Sequence, residues 1–179
     1  MKKCLIVAIL SIALVWTIIH HLIQKKSKEQ NEGSDVRIGT EIGNIAPNSL
    51  LQTIDGEEIY LSDYKGKKVI LNFWASWCGP CKVEMPDIEK FYQDSKTDEI
   101  EIVAVNATPS EKDPNYVKQF LQENHYTFPV LLDIKGQANT AYQIVSLPTS
   151  FILDKKGIIH FKHVGPMTYE KMKEYMKSL

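Results

Sequence analysis

Residues 68–74 read Lys-Val-Ile-Leu-Asn-Phe-Trp, and three residues later the chain reaches Cys78-Gly79-Pro80-Cys81. A strand with one wet face alternates apolar and polar side chains. This run is nearly continuous in Val69, Ile70, Leu71 and Phe73, which is the pattern of a central strand covered on both faces. From Pro80 to about Ser95 the period changes to a helical one, with Met85, Ile88, Phe91 and Tyr92 on the core side. A chain with this feature needs a layer on each side of one buried strand, and it carries two cysteines at the strand-to-helix junction.

The other segments fit such a layered fold. Residues 49–53 and 58–61 flank Asp55-Gly56, a hairpin signal. Residues 99–106 read as a second buried strand. Residues 113–124 read as a helix, with Asp113 as its cap and Pro114 at its first position. A short strand follows at 129–133 and a short helix at 137–142. Residues 149–154 and 158–164 pair across Lys156-Gly157, and Thr168 caps a last helix that runs to Lys177. This alternation implies an α/β domain with a mainly parallel sheet, helices on both faces and an antiparallel edge.

Of the 179 residues 44% are hydrophobic and 24% charged, which excludes a disordered or fibrous chain, and the net charge of −1 offers nothing to a nucleic acid. Residues 4–23 are almost wholly apolar, with Lys2 and Lys3 before them and Lys25, Lys26 and Lys28 after them. That length suits a membrane-spanning helix, and no small-x-small cleavage pattern ends it. The expected organisation is therefore an uncleaved single-pass anchor at 1–24, a polar linker at 25–40 and a folded domain at 41–179. The flanking charges are too balanced to orient the anchor. Cys4 reads as a small apolar residue of that segment.

Cys78 and Cys81 are the only cysteines of the domain. They close too small a loop to brace it, which leaves redox chemistry or a metal. Structural zinc needs two further ligands, and His125, His160 and His163 are scattered. A metal site and a redox pair are thus the two readings of the spacing, the second with more behind it. At a helix N-terminus the free N–H groups and the helix dipole favour a Cys78 thiolate, the attacking species. Cys81, one turn behind, can resolve the mixed disulfide that Cys78 forms. Pro80 fits the first helical turn, and Trp77 shields the pair.

The Trp-Cys-Gly-Pro-Cys run, Pro86 inside the following helix and Leu147-Pro148-Thr149 before a strand together resemble the thioredoxin superfamily. Gly43-Asn44-Ile45-Ala46-Pro47 and Leu61-Ser62-Asp63-Tyr64-Lys65-Gly66-Lys67 resemble the entry to the TlpA/ResA-like thiol-disulfide oxidoreductases. The resemblance implies a thioredoxin-like fold: a central mixed sheet flanked by helices, with an N-terminal β-hairpin and a helix-strand insertion between Thr108 and Asp133. It also implies a cis Pro148 lying against the cysteines, with Leu147, Pro148 and Thr149 binding substrate beside Trp77, Gly79 and Pro80. No cofactor is implied beyond the Cys78–Cys81 disulfide itself.

Members of that family reduce selected protein disulfides in cytochrome c maturation or spore-envelope assembly. They sit at the bacterial membrane with the domain outside the cytoplasm, and a membrane thiol carrier of the CcdA type feeds them electrons. A monomer is expected. Thioredoxin keeps an aspartate where this chain has Asn72, and ResA-like proteins place a glutamate beside the cysteines; Glu84, three residues after Cys81, matches it. Glu84 is therefore expected to relay the proton of Cys81 or to tune the pair. The rivals are a peroxiredoxin-like thiol peroxidase, although the Pro-x-x-x-Thr approach to its cysteine is missing, a copper- or metal-binding assembly factor, and a non-catalytic scaffold. The sequence singles out no substrate protein.

Overall fold

Strand β3 (Lys68–Trp74) lies inside a seven-stranded sheet of order β2-β1-β5-β4-β3-β6-β7. The structure is a computed structural model and describes residues 15–21, 37–95 and 99–179. Two units divide the chain, Met1–Val36 and Arg37–Leu179. In the first, residues 15–21 are helical. Among the described residues no helix is long and apolar enough to cross a membrane. This corrects the expectation of a single-pass membrane protein with an outward-facing domain. Most of the segments assigned to anchor and linker, 1–14 and 22–36, lie outside the described residues.

The second unit begins with the hairpin β1 (Leu50–Thr53) and β2 (Glu58–Tyr60). Its turn needs Gly56 at φ +94°, a left-handed backbone where a side chain would strain. A 3-10 turn, Leu61–Tyr64, leads to β3, and helix α1 (Gly79–Asp94) follows. Then come β4 (Ile100–Asn106), a 3-10 turn (Thr108–Ser110), α2 (Asn115–Glu123), β5 (Val130–Leu132) and α3 (Gln137–Ala141). Strands β6 (Thr149–Leu153) and β7 (Ile159–Val164) and helix α4 (Tyr169–Lys177) complete it. The hydroxyl of Thr168 accepts from Lys171 N–H at 3.3 Å and caps α4 as expected. On α2 the cap position belongs to Pro114, and Asp113 instead accepts from Asn115 N–H at 2.8 Å.

The sheet is mixed. Only β3–β4 and β4–β5 run parallel, and β1–β2, β1–β5, β3–β6 and β6–β7 are antiparallel. The parallel part is narrower than the alternation of elements suggests, because a hairpin is added at each end.

Successive residues of β3 point to opposite faces. Ile70 and Trp74 join Met85, Ile88 and Phe91 of α1, Val117 and Leu121 of α2, and Met172 and Met176 of α4. Leu71 and Phe73 join Val103, Val105, Phe151 and Tyr142 on the other face. Each fully buried side chain of this size contributes about 1.5–3 kcal/mol by leaving water. Asn72 sits on the first face with no apolar reason to be there, and it is fully buried.

Candidate active site

Helix α1 begins where the chain leaves the C-terminal end of β3, and Cys78 is its N-cap. Cys78 N–H donates to Ala75 carbonyl at 3.2 Å, closing the loop between strand and helix. Its Sγ accepts from Cys81 N–H at 3.2 Å, so one of the free helix-end donors is spent on sulfur. Cys78 and Cys81 are joined as a disulfide. Cys78 is 4% exposed and Cys81 fully covered. A donor aimed at Cys78 Sγ stabilises negative charge there, and nothing comparable is aimed at Cys81 from the helix end. The arrangement can form an anion at the outer sulfur and keep the inner one in reserve.

A cleft is lined by Trp77, Cys78, Gly79 and Pro80 on one side and by Val145 and Leu147 on the other. Val145 is 96% exposed at its tip. The indole N–H of Trp77 donates to Ser110 Oγ at 3.2 Å. The Leu147–Pro148 bond is cis. Pro148 is buried and its carbonyl accepts from Gly165 N–H at 2.9 Å. Thr149 is buried at the start of β6, and its hydroxyl donates to Ser146 carbonyl at 2.8 Å. The structure thus brings Trp77, Cys78, Gly79, Pro80 and Leu147 around one opening and sets Pro148 and Thr149 behind it.

Glu84 is 1% exposed, on the same face of α1 as Cys81. One carboxyl oxygen accepts from Asn72 Nδ2 at 2.8 Å and the other from Met167 N–H at 2.9 Å. Burial pushes its carboxyl from the ordinary 4.5 up to about 7, against the downward pull of the bonds from Met167 and Asn72. Asn72 Nδ2 also donates to Ser150 Oγ at 2.9 Å, while Asn72 Oδ1 has no partner. A buried acid is therefore tied to the middle of β3 and, through Asn72, to β6. Ser150 was not among the expected site residues, and Asn72 was singled out only as the position where thioredoxin has an aspartate. An amide in an otherwise apolar central strand marks Asn72 as well, but Ser150 left no signal.

Glu111 was missed as well. It lies beyond β4 and accepts from the loop that precedes Cys78. The histidines are spread out: His160 meets Asp154 at 3.0 Å, His163 meets Tyr175, and His125 is exposed. Among the described residues no group of three or more His, Cys, Asp or Glu is placed to hold a metal ion.

Residues 42–162 match the AhpC/TSA family. The chain is similar to thioredoxin-like protein YneN of Bacillus subtilis, 43% identical over 97% of each chain. It is similar to thiol-disulfide oxidoreductase ResA of Bacillus cereus, 35% identical over 99% of this chain and 94% of that one. The crystal structure of StoA from Bacillus subtilis superposes with a TM-score of 0.66 at 43% identity, covering 73% of this chain and 96% of that one. The fold is thioredoxin-like, as these likenesses and the sheet order agree.

Proposed function

The chain belongs to the AhpC/TSA family and is a thioredoxin-like thiol-disulfide oxidoreductase of the ResA type, and from that premise we propose that Cys78 attacks and Cys81 resolves. In the reduced enzyme the Cys78 thiolate attacks one sulfur of a substrate cystine and expels the other as a thiolate. Cys81 then attacks the mixed disulfide, the substrate leaves with both thiols, and the enzyme is left with the Cys78–Cys81 disulfide. Two electrons pass from enzyme to substrate, and no further cofactor is needed. The observation that carries this reading is the Cys81 N–H donated to Cys78 Sγ, with Cys81 covered behind it.

Glu84 is the proton relay for Cys81: neutral below about 7, it can give and take a proton on the buried face of the helix that carries Cys81. Trp77, Gly79, Pro80 and Leu147 receive the substrate segment, and Pro148 with Thr149 shapes the wall behind them. Residues 41–179 form the catalytic domain and act as a monomer. The substrates are selected proteins of cytochrome c maturation or of spore-envelope assembly, and a dithiol donor of the CcdA type restores the reduced pair. The name of one relative, sporulation thiol-disulfide oxidoreductase A of Bacillus subtilis, 44% identical over 70% of this chain, favours the spore arm.

Trapping tests the assignment. Cys81→Ala is expected to hold Cys78 in a mixed disulfide with its partner, identified by mass spectrometry after non-reducing electrophoresis. Cys78→Ala is expected to trap none, and equal trapping by both variants would reverse the roles of the two sulfurs.

A further inference from the structure

We infer that Glu111 is a positioning residue of this active site, a carboxylate clamp that holds the loop carrying Cys78. Glu111 follows the 3-10 turn Thr108–Ser110, through which the chain leaves β4. Glu111 N–H donates to Thr108 carbonyl at 3.0 Å, which fixes the direction of the residue. Its Oε1 accepts from Ser76 N–H at 2.6 Å and from Asn106 Nδ2 at 2.8 Å, and its Oε2 accepts from the Ser76 hydroxyl. Hydrogen bonds to a carboxylate are shorter and stronger than neutral ones. Three such bonds converge on one side chain that the exchange chemistry itself does not use.

Asn106 is fully buried opposite Trp74 in the β3–β4 register, and its Oδ1 already lacks a partner. Ser76 stands two residues before Cys78. The next residue, Trp77, is held by Ser110, whose hydroxyl also donates to Ala107 carbonyl at 2.7 Å. The stretch from Ala107 to Glu111 thus grips two consecutive residues of the loop, one by its backbone and one by its indole. Ala107 N–H in turn donates to Trp74 carbonyl at 2.8 Å, so the grip is anchored on the end of β3 itself.

With the loop fixed on this side, the first turn of α1 keeps Cys78 Sγ in line with Cys81 N–H and at the wall of the cleft, which Ala107 and Ser110 also line. Small displacements of a reacting group cost large factors in rate. The segment after β4 is therefore part of the reaction centre's support rather than a connection alone.

This inference rests on Cys78 being the attacking sulfur. Its test is the rate of iodoacetamide alkylation of Cys78 against pH, in the reduced full-length chain carrying Cys81→Ala, together with insulin reduction by the enzyme with both cysteines. Glu111→Ala is expected to raise the pH midpoint of alkylation and to slow insulin reduction roughly tenfold. Glu111→Gln keeps an oxygen for Ser76 N–H and for Asn106 and is expected to recover most of that rate. Glu111→Ala with an unchanged midpoint and rate overturns the inference, as does Glu111→Gln impaired as far as Glu111→Ala. Should Glu111→Ala fail to fold, Ser76→Ala, which removes the hydroxyl arm alone, decides by the same two measurements: both move in the same directions, or the inference falls. A wild-type enzyme inert towards insulin would instead remove the function proposed above.

Discussion

Replacing Glu84 with Gln should abolish most of the pH dependence of stability between pH 4.5 and 8. The carboxyl is 1% exposed and pushed up to about 7 from an ordinary 4.5, chiefly by burial. A folded state that binds its proton more tightly than the unfolded chain is most stable at low pH. Stability is then lost as pH rises from about 4.5 to about 7 and stays low above that. At about 1.4 kcal/mol for each tenfold in proton affinity, the ionised form costs the fold about 3 kcal/mol.

Glutamine cannot ionise. Its oxygen can still accept from Met167 N–H, and its amide can donate to Asn72 Oδ1, now without a partner, if the Asn72 amide turns over. The assay is urea unfolding of the oxidised protein at half-unit pH steps, because the disulfide keeps both cysteines from titrating. Glu89 and Asp154, where hydrogen bonds outweigh the upward push of burial, lie below their ordinary values and so act at the acid end, outside this window. Wild type should lose up to about 3 kcal/mol from pH 4.5 to 8, and Glu84→Gln should stay nearly flat. Parallel curves for the two proteins would refute the account of Glu84 as a buried, proton-holding acid.

Asn72→Asp puts a second carboxyl within hydrogen-bond reach of Glu84. The pair should share one proton, so the loss of stability in the same unfolding series should move about one pH unit or more higher, as coupled titration requires. Trp77 is exposed and its indole holds only Ser110. Trp77→Ala should therefore leave stability within about 0.5 kcal/mol of wild type by urea unfolding. Its rate with a protein disulfide should fall further than its rate with a small aromatic disulfide, and equal effects on both would remove Trp77 from the substrate cleft.

Local patterns located most of the elements. The run of Val69, Ile70, Leu71 and Phe73 is buried on two faces because β4 and β6 flank it and helices cover it, and that much is visible as missing alternation. Gly56, Thr168 and the Cys-Gly-Pro-Cys start of α1 act through backbone chemistry that single residues announce. The pairing of β1 with β5 joins Gln52 to Leu132 across the chain, and no local period records such a contact.

The site divides the same way. Cys78 and Cys81 open one helix and could be read from spacing, while Glu84, further along it, was proposed with the help of the family resemblance. Asn72 and Ser150 are far apart in the chain and meet only in the fold, as do Glu111 and Ser76. The apolar stretch at 4–23 has the composition of a spanning helix, but among the described residues no helix of that kind is formed.

The near-complete covering of both sulfurs also decides which cystines this enzyme can open. In-line attack needs three sulfurs nearly on one axis, and Cys78, 4% exposed, lies in the wall of the cleft. A bridge locked between two packed elements of a finished protein cannot swing into that line without tearing its own surroundings. One on a hanging tail or a half-folded strand can. Selection thus falls on how loosely a bridge is carried.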